Sequence, residues 1–195
     1  VFGNADDEVL TGRNHQGALG AGGTYFESFN NLKLADGLTG SFYFFVATDT
    51  NNQVYEDFED NNSGGTSSAT TVTSEPPDLV PTAFSAPTTP VEAGTSFIAS
   101  WTVENQGLNV VPSDNNWRDR IILSDDDVLG DEDDRGLFSA NTGSDLEVGM
   151  NYTRGPLVSL PQTVAPGSYR LYLVVDEGDG VYEGTSGGED NNAVW

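Results

Sequence analysis

The sequence predicts an all-β chain of small sandwich modules. Three observations carry that reading. Apolar and polar residues alternate over short runs, turn residues punctuate the chain about every ten positions, and one long pattern occurs twice. No stretch carries a convincing helical period.

The strands follow in order from the better-defined second half. Leu79 to Ser85 is the first, and Pro81 marks it as an edge because proline cannot donate to a ladder. From Ser96 to Glu104, Phe97, Ala99, Trp101 and Val103 alternate with Ile98, Ser100 and Thr102, which predicts one buried face. Asn105-Gln106-Gly107 turns that strand. Arg118 to Ser124 is the third, carrying Ile121 to Leu123. Gly136 to Ala140 is a short fourth and Met150 to Val158 a fifth. Ser168 to Asp176 sets Tyr169, Leu171, Leu173 and Val175 against Arg170, Tyr172 and Val174. Both faces are apolar, so this strand is expected at the centre of its sheet. Ala193 to Trp195 begins the last. Seven short strands with such spacing describe an immunoglobulin-like sandwich. Trp101 and Trp117 are expected in its core.

The repeat sets the domain organisation. Gly40-Ser-Phe-Tyr-Phe-Phe-Val-Ala-Thr-Asp49 matches Gly167-Ser-Tyr-Arg-Leu-Tyr-Leu-Val-Val-Asp176 at an offset of 127 residues. The offset holds for Tyr25 on Tyr152 and for Val54-Tyr55-Glu56 on Val181-Tyr182-Glu183. Glu59-Asp60-Asn61-Asn62 then matches Glu189-Asp190-Asn191-Asn192, and Glu8-Val9-Leu10 matches Asp127-Val128-Leu129 at an offset of 119. The second copy has material from Asp78 to about Asn116 that the first lacks. The expected fold is therefore tandem immunoglobulin-like β-sandwiches, the first incomplete at its N-terminus. Residues 1–74 form the back part of one module, 75–77 a stiff Glu-Pro-Pro linker, and 78–195 a complete module. Thr70 to Thr73 is expected as the last strand of the first. Val1 already reads as strand, so the start of the protein is expected elsewhere, and no signal peptide is visible.

Charge narrows the function classes. Acids number 31 against 7 bases, a formal net charge of -24. Phosphate binding needs a basic face, so nucleic acid is disfavoured as a partner, and docking on anionic lipid for the same reason. No apolar run is long enough to span a membrane as a helix. Cysteine is absent. Small extracellular β-domains commonly rely on disulfides, so packing and metal ions are expected to do that work here.

These motifs carry a family resemblance. Asp78-Leu-Val80, Trp101-Thr-Val-Glu-Asn-Gln-Gly107, Asp119-Arg-Ile-Ile-Leu-Ser-Asp-Asp126, Leu129-Gly130, Leu171-Tyr-Leu-Val-Val-Asp176, Val181-Tyr-Glu183 and Glu189-Asp-Asn-Asn192 occur in that order. Together they resemble the bacterial CARDB family, the cell-adhesion-related domains. The likeness runs from Asp78 to Trp195, and in the first copy to about Thr73. The resemblance implies an immunoglobulin-like fold, placement in large secreted bacterial proteins, and roles in adhesion or as spacers beside enzymes. It implies no catalytic residue.

Two acid-rich loop systems are candidate calcium sites. Calcium takes six to eight hard oxygens, and clustered carboxylates repel one another unless a cation sits among them. The first is Asp125, Asp126, Asp127, Asp131, Asp133 and Asp134, of which Asp125, Asp127, Asp131 and Asp133 are the expected ligands. It is not an EF-hand, because Leu129 stands at a ligand position and Gly136 where the bidentate Glu belongs. The first copy keeps only Asn4, Asp6, Asp7 and Glu8, followed by Arg13-Asn14-His15, so this site is expected in the second copy. The other system recurs in both: Asp49, Asn51, Glu56 and Asp60 in one, Asp176, Asp179, Glu183 and Asp190 in the other. These acids lie around the final hairpin, whose strand ends approach each other. The competing reading is that Asn and Asp are ordinary turn formers.

The enzyme readings are weak. Gly184-Thr-Ser186-Gly-Gly188 has the nucleophile-elbow spacing, but it sits in a glycine-rich loop with no helix after it, and His15, the one histidine, lies in the other copy. The expectation is a non-catalytic, extracellular, cell-surface or secreted repeat module with calcium as its cofactor. Its partners would be neighbouring repeats or copies of itself in an array or filament. The alternative is a carbohydrate-binding accessory module of a secreted enzyme, with Trp117 or Tyr182 stacking on surface polysaccharide.

Overall fold

The structure is a computed structural model that describes residues 2–185 and 187–195. The side chain of Glu59 lies outside the described part, as do Val1 and Ser186 and the readings that fell on them. The chain is nearly all β, in several small sheets. It divides into two compact units, residues 1–74 and 75–195.

In the first unit, β1 (Gly40–Phe42) pairs with β4 (Thr70–Val72), and β2 (Phe45–Ala47) with β3 (Ser63–Gly65). Residues 7–39 form no strand.

Among the described residues the second unit carries nine strands: β5 (Leu79–Ser85), β6 (Ser96–Ile98), β7 (Ser100–Asn105), β8 (Arg118–Ser124), β9 (Arg135–Asn141), β10 (Asn151–Arg154), β11 (Leu157–Ser159), β12 (Arg170–Val174) and β13 (Ala193–Val194). One sheet has the order β10-β7-β5, a two-stranded pair is β11-β6, and a four-stranded sheet runs β13-β12-β8-β9. The expected strand from Ser96 to Glu104 is interrupted at Ala99, and the one from Met150 to Val158 at Gly155-Pro156. One cause accounts for both. The register places Trp101 on Arg154 and Ile98 on Leu157, so Pro156 falls opposite Ala99, and a proline has no N–H for the ladder.

β5 lies at a sheet edge, where Pro81 is tolerated, and a bulge follows between Pro81 and Ala83. The Glu75-Pro76-Pro77 stretch is not a free spacer: it packs as part of the second unit. The Leu108 N–H donates to the Pro76 carbonyl (2.9 Å) and the Gln106 N–H to that of Asp78 (2.7 Å). Gly107 permits the approach, since a Cβ there would stand 2.3 Å from the Pro77 carbonyl carbon.

Side chains from both main sheets meet in one core. Leu79, Trp101, Val103, Val111, Trp117, Ile121, Leu173, Val175 and Val181 are all buried in it. A smaller cluster of Phe97, Ala99 and Val158 continues it. Ile98, on the other face of its strand, is exposed.

A buried polar network crosses this core. Asp119, fully buried, takes hydrogen bonds from the Trp101 indole N–H (2.8 Å) and the Tyr152 hydroxyl (2.7 Å), with Arg154 Nε at 3.4 Å. The Trp117 indole N–H donates to the Tyr152 oxygen (3.4 Å). Burial raises the Asp119 pKa, opposed by those donors and by the Arg154 charge. A buried carboxylate is costly unless so satisfied. Trp101→Phe removes the indole donor to Asp119 and leaves part of the buried ring's space unfilled. It is expected to lower the stability of the second unit by about 1–3 kcal/mol in urea denaturation followed by circular dichroism.

Candidate metal centre

The loop between β8 and β9 brings acids together. Carboxylate oxygens of Asp125, Asp126 and Asp133 lie within 4.8 Å of one another, and so do those of Asp131, Asp133 and Asp134. Asp133 belongs to both groups. It is held in place by the Ser124 hydroxyl (3.2 Å) and the Asp125 N–H (2.8 Å), which both donate to Oδ2. Gly130, at φ 101°, turns the chain back so that residues 131–134 return to residues 125–126. The Asp131 carboxylate accepts the Asp133 N–H (3.3 Å) and Asp134 accepts the Gly130 N–H. Among the described residues, Asp134 Oδ1 is shielded from solvent and has no hydrogen-bond partner.

The electrostatics centre on Asp133. A hydrogen bond with the Asp131 side chain, with further support from Asp125 and Ser124, holds it down to about 2. Asp125 and Asp131 are both pushed up, first by the hydrogen bond each shares with Asp133 and also by its negative charge. Crowded carboxylates without a counter-charge oppose one another's ionisation in this way. Of the expected ligands, Asp125, Asp131 and Asp133 converge. Asp127 lies apart, its oxygen 3.9 Å from the Arg170 guanidinium. Asp126 and Asp134 join the groups in its place. The Asp-rich spacing held the signal for them.

The hairpin acids have a different geometry, repeated in both units. Asp49 accepts the N–H groups of Gln53 and Val54, each at 2.8 Å. Asp176 accepts those of Gly180 (3.1 Å) and Val181 (2.7 Å), the same positions at the repeat offset. Both aspartates have positive φ, 44° and 49°, as do Asn52 (48°) and Asp179 (50°). Asn and Asp tolerate that left-handed backbone better than other side-chain-bearing residues. Glu56 then accepts the Asn62 side-chain N–H (2.7 Å), and Glu183 that of Asn192 (2.8 Å).

Glu183 reaches further: its other oxygen accepts the Leu79 N–H at 2.6 Å, joining the hairpin to the start of β5. Burial pushes Glu183 up to about 8, opposed by the Asn192 and Leu79 hydrogen bonds. Burial also raises Asp176. These hydrogen bonds account for Asp49, Asp176 and Glu183 by backbone capping. Asp49 and Asp60 line one concavity of about 380 Å³ with Asn52 and Asn62. Asn51 and Asp179 sit in exposed turns, and Asp190 is exposed beside Asn191. Sequence reasoning missed Asn192 as the partner of Glu183; its recurrence with Asn62 was the available signal.

The sugar-stacking expectation for Trp117 is corrected, because its ring is buried in the core. Tyr182 is half-buried. No helix among the described residues is long and apolar enough to cross a membrane. No protein-family model and no curated protein matches the chain.

Glu183 generates a pH prediction. Its folded pKa stands above the ordinary 4.5, so the native state holds the proton more tightly than the unfolded chain. Its stabilising contribution is complete below about 4.5 and is lost as pH rises through about 8. Glu183→Gln keeps an acceptor for Leu79 and a polar partner for Asn192. Denaturation of the wild type from pH 5 to pH 9 should show a decline of order 2 kcal/mol that the Gln variant lacks.

Proposed function

We propose that the chain is a non-catalytic, extracellular structural and adhesive module from an array or filament. Its units are immunoglobulin-like sandwiches of the CARDB kind, and calcium stiffens the β8–β9 loop. The observation that carries the repeat reading is the recurrence of one hairpin. Val46 pairs with Gly64 and Ala47 with Ser63, while Leu173 pairs with Val194 and Val174 with Ala193, at matching positions of the two copies. The same aspartate and glutamate clamps accompany both. A hairpin specified that closely in two places reads as a building element.

For calcium, the support is the donor set. Five carboxylates within one loop offer hard oxygens, Asp133 bridges two groups of three, and Asp134 Oδ1 is a shielded acceptor without a donor. Magnesium would demand stricter octahedral geometry and fewer protein ligands, and transition metals would favour His or Cys. A charge of -24 opposes close approach of neighbouring copies, and cations would relieve part of that repulsion where acids crowd.

The test is thermal unfolding of the whole chain in calcium and in chelator. Calcium at about 100 times its dissociation constant should add about 2.7 kcal/mol, a rise of several degrees in Tm. Asp133→Ala should abolish the rise, whereas Asp127→Ala and Glu183→Gln should keep it. An unchanged Tm in the wild type would sink the calcium reading. Mass measurement of the native protein would separate an array built into one long chain from a filament of short chains.

A further inference from the structure

We propose that copies of the chain join end to end, the β8–β9 loop of one copy docking its carboxylates on an arginine-bearing sheet face of the next. The proposal rests on the filament reading and names the two surfaces such a filament uses. Bases are sparse, 7 against 31 acids, and they are not scattered. Arg118, Arg120, Arg135 and Arg170 all lie on strands of the sheet β13-β12-β8-β9. Those four strands hold a single acid, Asp119, and it is fully buried.

Side chains alternate along β8, so Arg118 and Arg120 face away from the buried Asp119 and Ile121. The register sets Arg170 opposite Ser124, on that same outer face. Glu177, just after β12, pairs with both Arg118 (2.7 Å) and Arg120. One carboxylate against two guanidiniums leaves a positive charge over, and each guanidinium carries five N–H donors. The Arg118 and Arg120 side chains are 47% and 38% exposed. Beside Arg118, the exposed Asn116 and Asn141 line a concavity of about 190 Å³. Asp176 also lines it, but its two oxygens are held by the Gly180 and Val181 N–H groups. A guanidinium flanked by two carboxamides is a donor set for an incoming carboxylate.

Strand β8 gives the unit two unlike ends. Arg118 begins it, and the loop with Asp125, Asp126 and Asp133 follows Ser124. Six residues of extended chain separate those ends by roughly 20 Å, farther than the side chains reach within one molecule. Where reach allows, the pairing already occurs: Asp127 stands 3.9 Å from Arg170. The crowded loop lacks a counter-charge, and the far end of the same strand carries one. A contact between unlike ends is heterologous, so it repeats along a line instead of closing on a pair. The net charge of -24 opposes association. At about 0.15 M salt, however, charges more than about 8 Å apart are largely screened, and the local pairing decides. An anionic polysaccharide would also meet the arginines. A second copy is favoured because the matching carboxylates lie on the same unit, at the other end of the same strand.

The experiment is sedimentation of the whole chain over a range of concentrations, in chelator and about 0.15 M salt, so that the loop keeps its full negative charge. Species larger than a dimer should grow with concentration. Arg118→Glu should weaken association by about 100-fold or more, since like charges then face each other across the contact. The double variant Asp125→Lys, Asp126→Lys should do the same. An equimolar mixture of these two chains should form a 1:1 pair and stop there, because each keeps one intact surface; misfolded chains would not restore it. A wild type that stays monomeric, association that survives both variants, or a mixture that forms no pair would overturn the proposal. So would Arg118-dependent retention on heparin by a chain that does not self-associate, which would give the face to an anionic polysaccharide. Association through some other surface would sink this contact and leave the filament reading standing, and the calcium-dependent Tm is read separately from both.

Discussion

Closure of the second unit depends on one buried carboxylate. Glu183 sits on the return arm of the last hairpin, yet one of its oxygens holds the first amide of β5, 104 positions away in sequence. The other holds Asn192, whose carbonyl accepts the Val175 N–H and so fixes the last strand against β12. The first strand, the hairpin and the final strand therefore meet on a single side chain. Asp176 prepares the geometry by capping two amides at the head of the same turn, which sets the chain direction that delivers Glu183 inward.

The carboxylates of this very acidic chain divide into distinct physical roles. Asp119 is in the core, where two neutral donors and a guanidinium offset its desolvation. Asp49, Asp176 and Glu183 stand in for backbone carbonyls, accepting N–H groups that a tight turn would leave unpaired. Asp125, Asp126, Asp131, Asp133 and Asp134 are crowded in one loop, where their carboxylate oxygens lie close together and their charges repel one another. Composition alone weighs all three kinds equally.

Local pattern made much of the strand framework legible. Leu79 to Ser85 and Arg118 to Ser124 form strands over those residues, because side-chain alternation and turn residues are properties of neighbouring positions. The interruption at Ala99 was not legible, because its cause is Pro156 on a partner strand that only the folded register identifies. At the acidic loop the sequence marked Asp125, Asp131 and Asp133. It could not choose Asp126 over Asp127, a choice made by the turn at Gly130 and by Arg170 on β12. The recurrence of Glu56 and Glu183 was visible as a repeat, but the role of Glu183 rests on a contact with Leu79 that no short window contains.

The placement of that contact has a mechanical meaning. Leu79 and Asn192 lie near the two ends of the second unit, and both are held by Glu183. In a chain of such units under tension, force entering at one end and leaving at the other would run through this carboxylate. The few hydrogen bonds it gathers would be stretched together, in shear with the adjoining strand ladders, instead of opening one after another. In such an array, a polar clamp near the ends of the unit would resist extension there, and the acidic loop between β8 and β9 would lie outside that clamp.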